Sequence, residues 1–302
     1  MLVIEPLPPF RLDLTAWALR RRPRNAIDRW EGHAYHRVLV VRDVPVEVTV
    51  QQAGPPEAPR LQVTVVGPPL SRTSISEVAR ALHLLLGTQT DLRGFYRLAR
   101  GDARLRSLVD RFRGLKPPRF PSLFETLVNG VACQQISLTM GIELLNRLAR
   151  TYGPRVEAKD ACGFPRPETL AQLEPEALRR LGCSRQKSRA IIELARAVLS
   201  RELDCESLAA LSDEPAATHL RGLHGVGRWT AEYVLLRGLG RLHVFPGDDV
   251  GARNTLQRWL GRTKPLDYAH VPRALGKWKP YGGLIYFHLL LTGLAEAGHL
   301  SP

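Results

Sequence analysis

Cysteine and lysine are scarce in this 302-residue chain, and each shortage excludes something. The four cysteines, Cys133, Cys162, Cys183 and Cys205, stand 29, 21 and 22 residues apart. No Cys-x-x-Cys pair exists to seed a zinc site or an iron–sulfur cluster, so a reduced, cytoplasmic compartment is expected and no cofactor is. No apolar run reaches the length of a membrane-spanning helix, and MLVIEPLPPFRLDLTAW has no basic segment leading into an unbroken apolar core, so neither a span nor secretion is expected. Only six lysines occur, and none lies between Lys187 and Lys264. That long interval therefore offers no amine nucleophile. Tandem repeats and low-complexity tails are also missing.

Arginine is abundant instead. The chain carries 37 arginines and a net charge of +14, with 44% apolar residues, the composition of a globular protein that favours a polyanionic partner. Guanidinium groups suit two-pronged phosphate contacts, although arginines in such numbers are also simply solvated.

From Tyr35 to Val66 three segments read as strands, Tyr35 to Val41, Val46 to Val50 and Leu61 to Val66, with a Gly/Pro-rich turn from Gly54 to Pro59 between the last two. Ser76 to Leu86 comes next with helical spacing at Val78, Leu82, Leu85 and Leu86, a helix for one face of that sheet. Beyond Asp91 only helical segments are read: Ser122 to Arg150, Pro167 to Leu181, Gln186 to Arg201, Pro215 to Leu220, Arg228 to Gly238, Val250 to Leu260 and Gly283 to Leu294. The expected fold class is α+β. An antiparallel sheet with a packed helix over residues 1–91 precedes an all-helical domain over 92–302.

The richest segment runs from Leu220 to Arg258. Helical spacing stops at Leu220 and resumes at Arg228, leaving Gly225-Val226-Gly227 as a turn whose N–H groups open the second helix, a site suited to phosphate. A dinucleotide fingerprint would need Gly or Ala where Thr230 stands and a strand before the turn, and both are missing. Asp248 and Asp249 precede the next helix, and either suits its N-cap. Trp229 and Tyr233, four residues apart, share one helical face, which serves equally for core packing or for a stacking surface.

Leu223 to Asp249 resembles the helix-hairpin-helix/Gly-Pro-Asp motif of the DNA glycosylase superfamily, most closely its 3-methyladenine DNA glycosylase II (AlkA-like) branch. LHGVG is the hairpin and Val244-Phe245-Pro246-Gly247 the approach loop. Phe120 to Tyr152, Phe164 to Leu203 and Trp278 to Gly293 show the same family pattern, and the N-terminal third resembles the family's β domain more loosely. The iron–sulfur loop of some relatives is absent.

The resemblance implies a role for individual residues. It makes Asp249 the catalytic carboxylate, kept ionised by the helix start and stabilising positive charge on the sugar as the N-glycosidic bond breaks. It puts Trp229 and Tyr233 in the base pocket, where a cationic alkylated purine gains a cation–π term of about 0.5–2 kcal/mol. By the same resemblance Gly225, Gly227 and Thr230 belong to the DNA contact, and Gln135 in Ala132-Cys133-Gln134-Gln135-Ile136-Ser137 takes the wedge position that fills the gap left by an extruded base. The carbonyls of Leu223 and Val226 are candidates to hold a monovalent cation, as in relatives. Bifunctional relatives carry a lysine where Trp229 stands, so hydrolysis without strand cleavage is expected. Leu181 to Arg189 forms a second glycine-plus-basic turn, whose cations either touch phosphate or are solvated. Leu290 departs from the family, whose best-known members have a second tryptophan there, which opens the pocket. His288, Trp278 and Tyr281 match.

The expected partner is double-stranded DNA containing damaged bases, bound by a monomer without membrane association, in the cytoplasm and at the nucleoid through DNA binding. Two other readings remain: a lesion-binding protein without turnover, and a glycosylase for oxidised or deaminated bases.

Overall fold

The computed structural model describes residues 2–156 and 161–300. The N-terminal part runs β1 (Leu2–Ile4), α1 (Leu12–Arg20), β2 (Arg29–Glu31), β3 (Ala34–Val41), β4 (Val44–Ala53), β5 (Arg60–Val66) and α2 (Arg72–Leu86). The strands form one antiparallel sheet in the order β1-β5-β4-β3-β2. Its register sets Tyr35 opposite Val50 and Val50 opposite Val63, so the β-branched and aromatic residues of alternate positions line one face. That face is closed by Val78, Leu82, Leu85 and Leu86 of α2, whose start is capped by Ser71 and whose end is Gly87 in the left-handed region. The three strands read from the sequence are the long central ones. β1 and β2 are three-residue edges, too short to show alternation.

The later helices are α3 (Arg93–Arg100), α4 (Ala103–Arg111), α5 (Leu123–Cys133), α6 (Leu138–Tyr152), α7 (Pro167–Ala171), α8 (Pro175–Arg179), α9 (Arg185–Leu199), α10 (Cys205–Ala210), α11 (Asp213–Gly222), α12 (Arg228–Arg237), α13 (Val250–Trp259), α14 (Val271–Ala274) and α15 (Gly282–Glu296). Among the described residues none is long and apolar enough to cross a membrane. Between α6 and α7 a two-stranded ladder, β6 (Arg155–Val156) and β7 (Ala161–Cys162), rests Val156 and Ala161 on Val38 of β3. Two expected helices are each divided. Ser122 to Arg150 breaks at Gln134–Ser137, where Gln135 takes a left-handed φ of 54° and Ser137 caps α6 through Met140 N–H. Pro167 to Leu181 breaks before Pro175, which starts α8 because its missing N–H costs nothing there.

Burial places α1 and α12 as connectors. Leu12, Ala16 and Leu19 of α1 join the sheet core, whereas Leu14 and Ala18 join a helical core made with α3, α4, α13 and α15. α12 lies between that core, through Leu236, and a second one built on α5, α6 and α9, through Ala231, Val234 and Leu235. With both faces covered, α12 is anchored where the cores meet, and its hairpin end is exposed at Gly227 and Arg228.

A buried ionic network joins sheet and helices. Arg37 of β3 donates to Asp28 Oδ1 at 2.5 Å and to both carboxylate oxygens of Glu125 on α5 at 2.6 Å, and the Tyr35 hydroxyl also donates to Asp28, at 2.7 Å. All four residues are buried. Burial raises the Glu125 carboxyl above its usual range even with the Arg37 guanidinium opposing.

Candidate active site

A cleft of about 1490 Å³ opens where the cores meet. It is bounded by the segment after α1, the α5–α6 loop, the hairpin, the start of α13 and one face of α15. Asp249 sits at the start of α13 and resolves the choice left by the two aspartates. Its Oδ1 accepts from Ala252 N–H at 2.9 Å, the N-cap bond, while its Oδ2 accepts from the Trp229 indole N–H at 3.2 Å. Asp248 pairs instead with Arg253 at 3.4 Å. Capping thus fixes the carboxylate and leaves its second oxygen at the edge of the Trp229 indole. The Trp229 and Tyr233 rings stand 5.5 Å apart at 33°. Both line the cleft.

The hairpin separates two reasons for glycine. Gly225 has φ 78°, and a Cβ there would lie 2.5 Å from that of Ala190, so both conformation and space demand glycine. Gly227 has φ −89° and nothing within 4 Å, so its small size leaves open surface at the helix start without relieving strain. Gly225→Ala is expected to destabilise the fold by about 1–3 kcal/mol and Gly227→Ala by less than about 1 kcal/mol, read from urea unfolding; equal losses would contradict this assignment.

Among the described residues the backbone N–H groups of Arg228, Trp229 and Thr230 have no hydrogen-bond partner, the first internal bond of α12 being Ala231 to Gly227. Three donors therefore face outward at a positive dipole end. The Thr230 side chain is not among them. It is 1% exposed, and its hydroxyl accepts from the Gln134 amide at 2.9 Å. That same amide donates to the Gly225 carbonyl at 2.8 Å, tying the α5–α6 loop to the hairpin. The two adjacent glutamines therefore differ: Gln134 is structural, and Gln135 is exposed at the tip of the loop, followed by the partly exposed Ile136. The Leu223 carbonyl carries only the turn bond from Val226 N–H, at 3.1 Å, and that of Val226 accepts no bond among the described residues, so both retain lone pairs for a cation.

Of the second basic turn, Lys187 is committed to the Ala132 carbonyl at 2.9 Å, closing the end of α5, and Arg189 to Glu193. Arg185 is left exposed. His288 and Trp278 lie in the core rather than the cleft, and the half-buried Tyr281 packs against that core. His288 is held neutral by burial, its pKa pushed down to about 4, against Phe95, while Trp278 stacks on Trp259 at 4.7 Å and Tyr281 on Phe95. Leu290 does line the cleft, half-buried, beside Gly293.

Two groups of cleft residues escaped the sequence reading. Tyr286, Leu289, Gly293 and Leu294 share with Leu290 a helical stripe of α15 that was legible as spacing but, Leu290 apart, not as a cleft wall. Arg21, Arg22 and Arg24 arrive from the end of α1, about two hundred positions away in the chain. Only a run of arginines ahead of and around a proline marked them.

The chain matches the family described as HhH-GPD superfamily base excision DNA repair protein over residues 128–280. It is 30% identical over 223 residues to a DNA-3-methyladenine glycosylase of Bacillus subtilis, covering 73% of this chain and 74% of that one. Identity is 33% over 180 residues with DNA-3-methyladenine glycosylase 2 of Escherichia coli, covering 59% and 61%. A solved 3-methyladenine DNA-glycosylase from Archaeoglobus fulgidus superposes with TM-score 0.84 at 28% identity, over 96% of this chain and 98% of that one.

Proposed function

The chain belongs to the HhH-GPD superfamily of base excision DNA repair proteins, and from that membership we propose that it is a monofunctional DNA glycosylase acting on alkylated purines, 3-methyladenine foremost. As a monomer it binds duplex DNA, turns the damaged base into the cleft and hydrolyses its N-glycosidic bond. The observation that carries this reading is the Trp229–Asp249 pair, a flat electron-rich ring hydrogen-bonded to a carboxylate at 3.2 Å, both lining the cleft.

The geometry supports each role. Outward N–H groups at the start of α12 take a phosphate of the damaged strand, with the Leu223 and Val226 carbonyls available to a monovalent cation that neutralises the same phosphate. Gln135 enters the duplex from the loop that Gln134 anchors and fills the vacated space. The extruded base stacks on Trp229. As its bond to C1′ breaks, the sugar acquires positive charge, which the adjacent Asp249 carboxylate stabilises. A purine already cationic through alkylation leaves as a neutral base, so charge selects it both in binding and in departure. No lysine is among the described residues lining the cleft, and Lys187 is bonded to a carbonyl, which supports attack by water over an amine.

Chromatographic detection of free 3-methyladenine after incubation with methylated duplex DNA tests the reading. Base in solution supports it; bound duplex with no release favours a lesion-binding protein.

A further inference from the structure

The cleft is divided electrostatically. On one side the Trp229 ring is bonded to the Asp249 carboxylate. On the other, Tyr233 stands against two buried arginines: the Arg21 guanidinium donates to its hydroxyl at 3.0 Å, and that of Arg237 lies 5.7 Å from its ring centroid. The Arg237 cation lies over the ring and the Arg21 cation sits at its hydroxyl, so two positive charges already flank Tyr233. Tyr233 is therefore poorly suited to recognise positive charge, whereas Trp229 is well suited.

The Tyr233 hydroxyl has one proton. Its oxygen accepts from Arg21, no acceptor for its proton exists among the described residues, and the side chain is 2% exposed at the wall of the cleft. Burial raises its pKa above the ordinary tyrosine value, so the group stays protonated. Arg21 is itself tightly placed. It also donates to Asn129 at 2.6 Å, and its backbone takes a left-handed φ of 57° after α1, a conformation costly for a residue other than glycine.

We propose that Arg21, supplied by the N-terminal segment, positions the Tyr233 hydroxyl as a hydrogen-bond donor to the extruded base, which speeds the departure of neutral purines bearing a carbonyl or bare ring nitrogen far more than that of cationic alkylated ones. The inference rests on the glycosylase reading above. Chemistry gives the donor its purpose. When the C1′–N9 bond of a neutral purine breaks, the bonding pair leaves with the base as negative charge; water adds to C1′, and its proton ends on the purine. A hydrogen bond to that developing anion lowers the barrier. A cationic purine leaves neutral, with the water proton passing to solvent, and gains far less from the same donor.

The test is single-turnover release of hypoxanthine and of 7-methylguanine from matched duplexes by wild type, Tyr233→Phe and Arg21→Lys. The phenylalanine variant keeps the ring and loses the proton, and the lysine variant keeps the charge but cannot fork between Tyr233 and Asn129. The hypoxanthine-to-7-methylguanine rate ratio is expected to fall about 10- to 100-fold in Tyr233→Phe, whatever loss both rates share, and to fall in the same direction in Arg21→Lys. A ratio that does not fall in Tyr233→Phe overturns the proposal, as does a wild type that releases 7-methylguanine but no hypoxanthine. Release of neither base would overturn the glycosylase reading itself, and this inference with it.

Discussion

Asp249→Asn is expected to slow base release at least about 1000-fold while the variant binds duplex DNA no more weakly than wild type. The substitution is close to a pure removal of charge. Asparagine caps a helix about as well as aspartate, so the bond from Ala252 N–H at 2.9 Å is kept and α13 starts in the same place. What disappears is the negative charge proposed to face the sugar, and with it the acceptor for the Trp229 indole N–H. Losing a negative charge next to DNA phosphates favours association, so affinity and rate should move in opposite directions. A variant that still releases base within tenfold of the wild-type rate would assign the chemistry elsewhere. One that no longer binds would show Asp249 to be structural.

Arg37→Ala is expected to cost about 3–5 kcal/mol of stability, read as a lowered urea midpoint, because it strands Asp28 and Glu125 without their cation in a buried site. The desolvation already spent on both carboxylates is then uncompensated. If the network acts as described, Arg37→Leu combined with Glu125→Leu should be less damaging than Arg37→Ala alone, since an apolar pair leaves one buried charge fewer unpaired. Glu125 lies on α5, whose far end carries the Gln134–Ser137 loop, so loosening the sheet from α5 is expected to weaken duplex binding too. A double variant worse than Arg37→Ala alone would contradict this account.

How much of this was legible in the sequence depends on how local each feature is. β3, β4 and β5 declare themselves by β-branched alternation and α2 by its stripe, because one face of each is buried. β1 and β2 are too short to show a period, and α1 is obscured because opposite faces enter different cores. The division of Ser122 to Arg150 rests on a left-handed Gln135, where neither glycine nor proline advertises a turn; Ser137 was the available signal. In the hairpin, Gly225 and Asp249 could be singled out because turn chemistry and helix capping are properties of adjacent residues. The inward turn of Thr230, the different uses of Gln134 and Gln135, and the Arg21–Tyr233 bond are long-range facts with no local pattern. Trp278 and His288 show the converse, since residues that fit the family pattern prove to be core.

The central claim is hydrolytic base excision in the cleft opened by the hairpin and closed by Asp249. Its most direct test counts free bases released from methylated duplex DNA by wild type, and compares them with strand breaks before and after alkali. The account predicts release matched by breaks that appear only after alkali, the mark of an intact strand carrying an abasic site. Breaks forming during incubation in step with release would contradict attack by water, and duplex bound without release would contradict catalysis altogether.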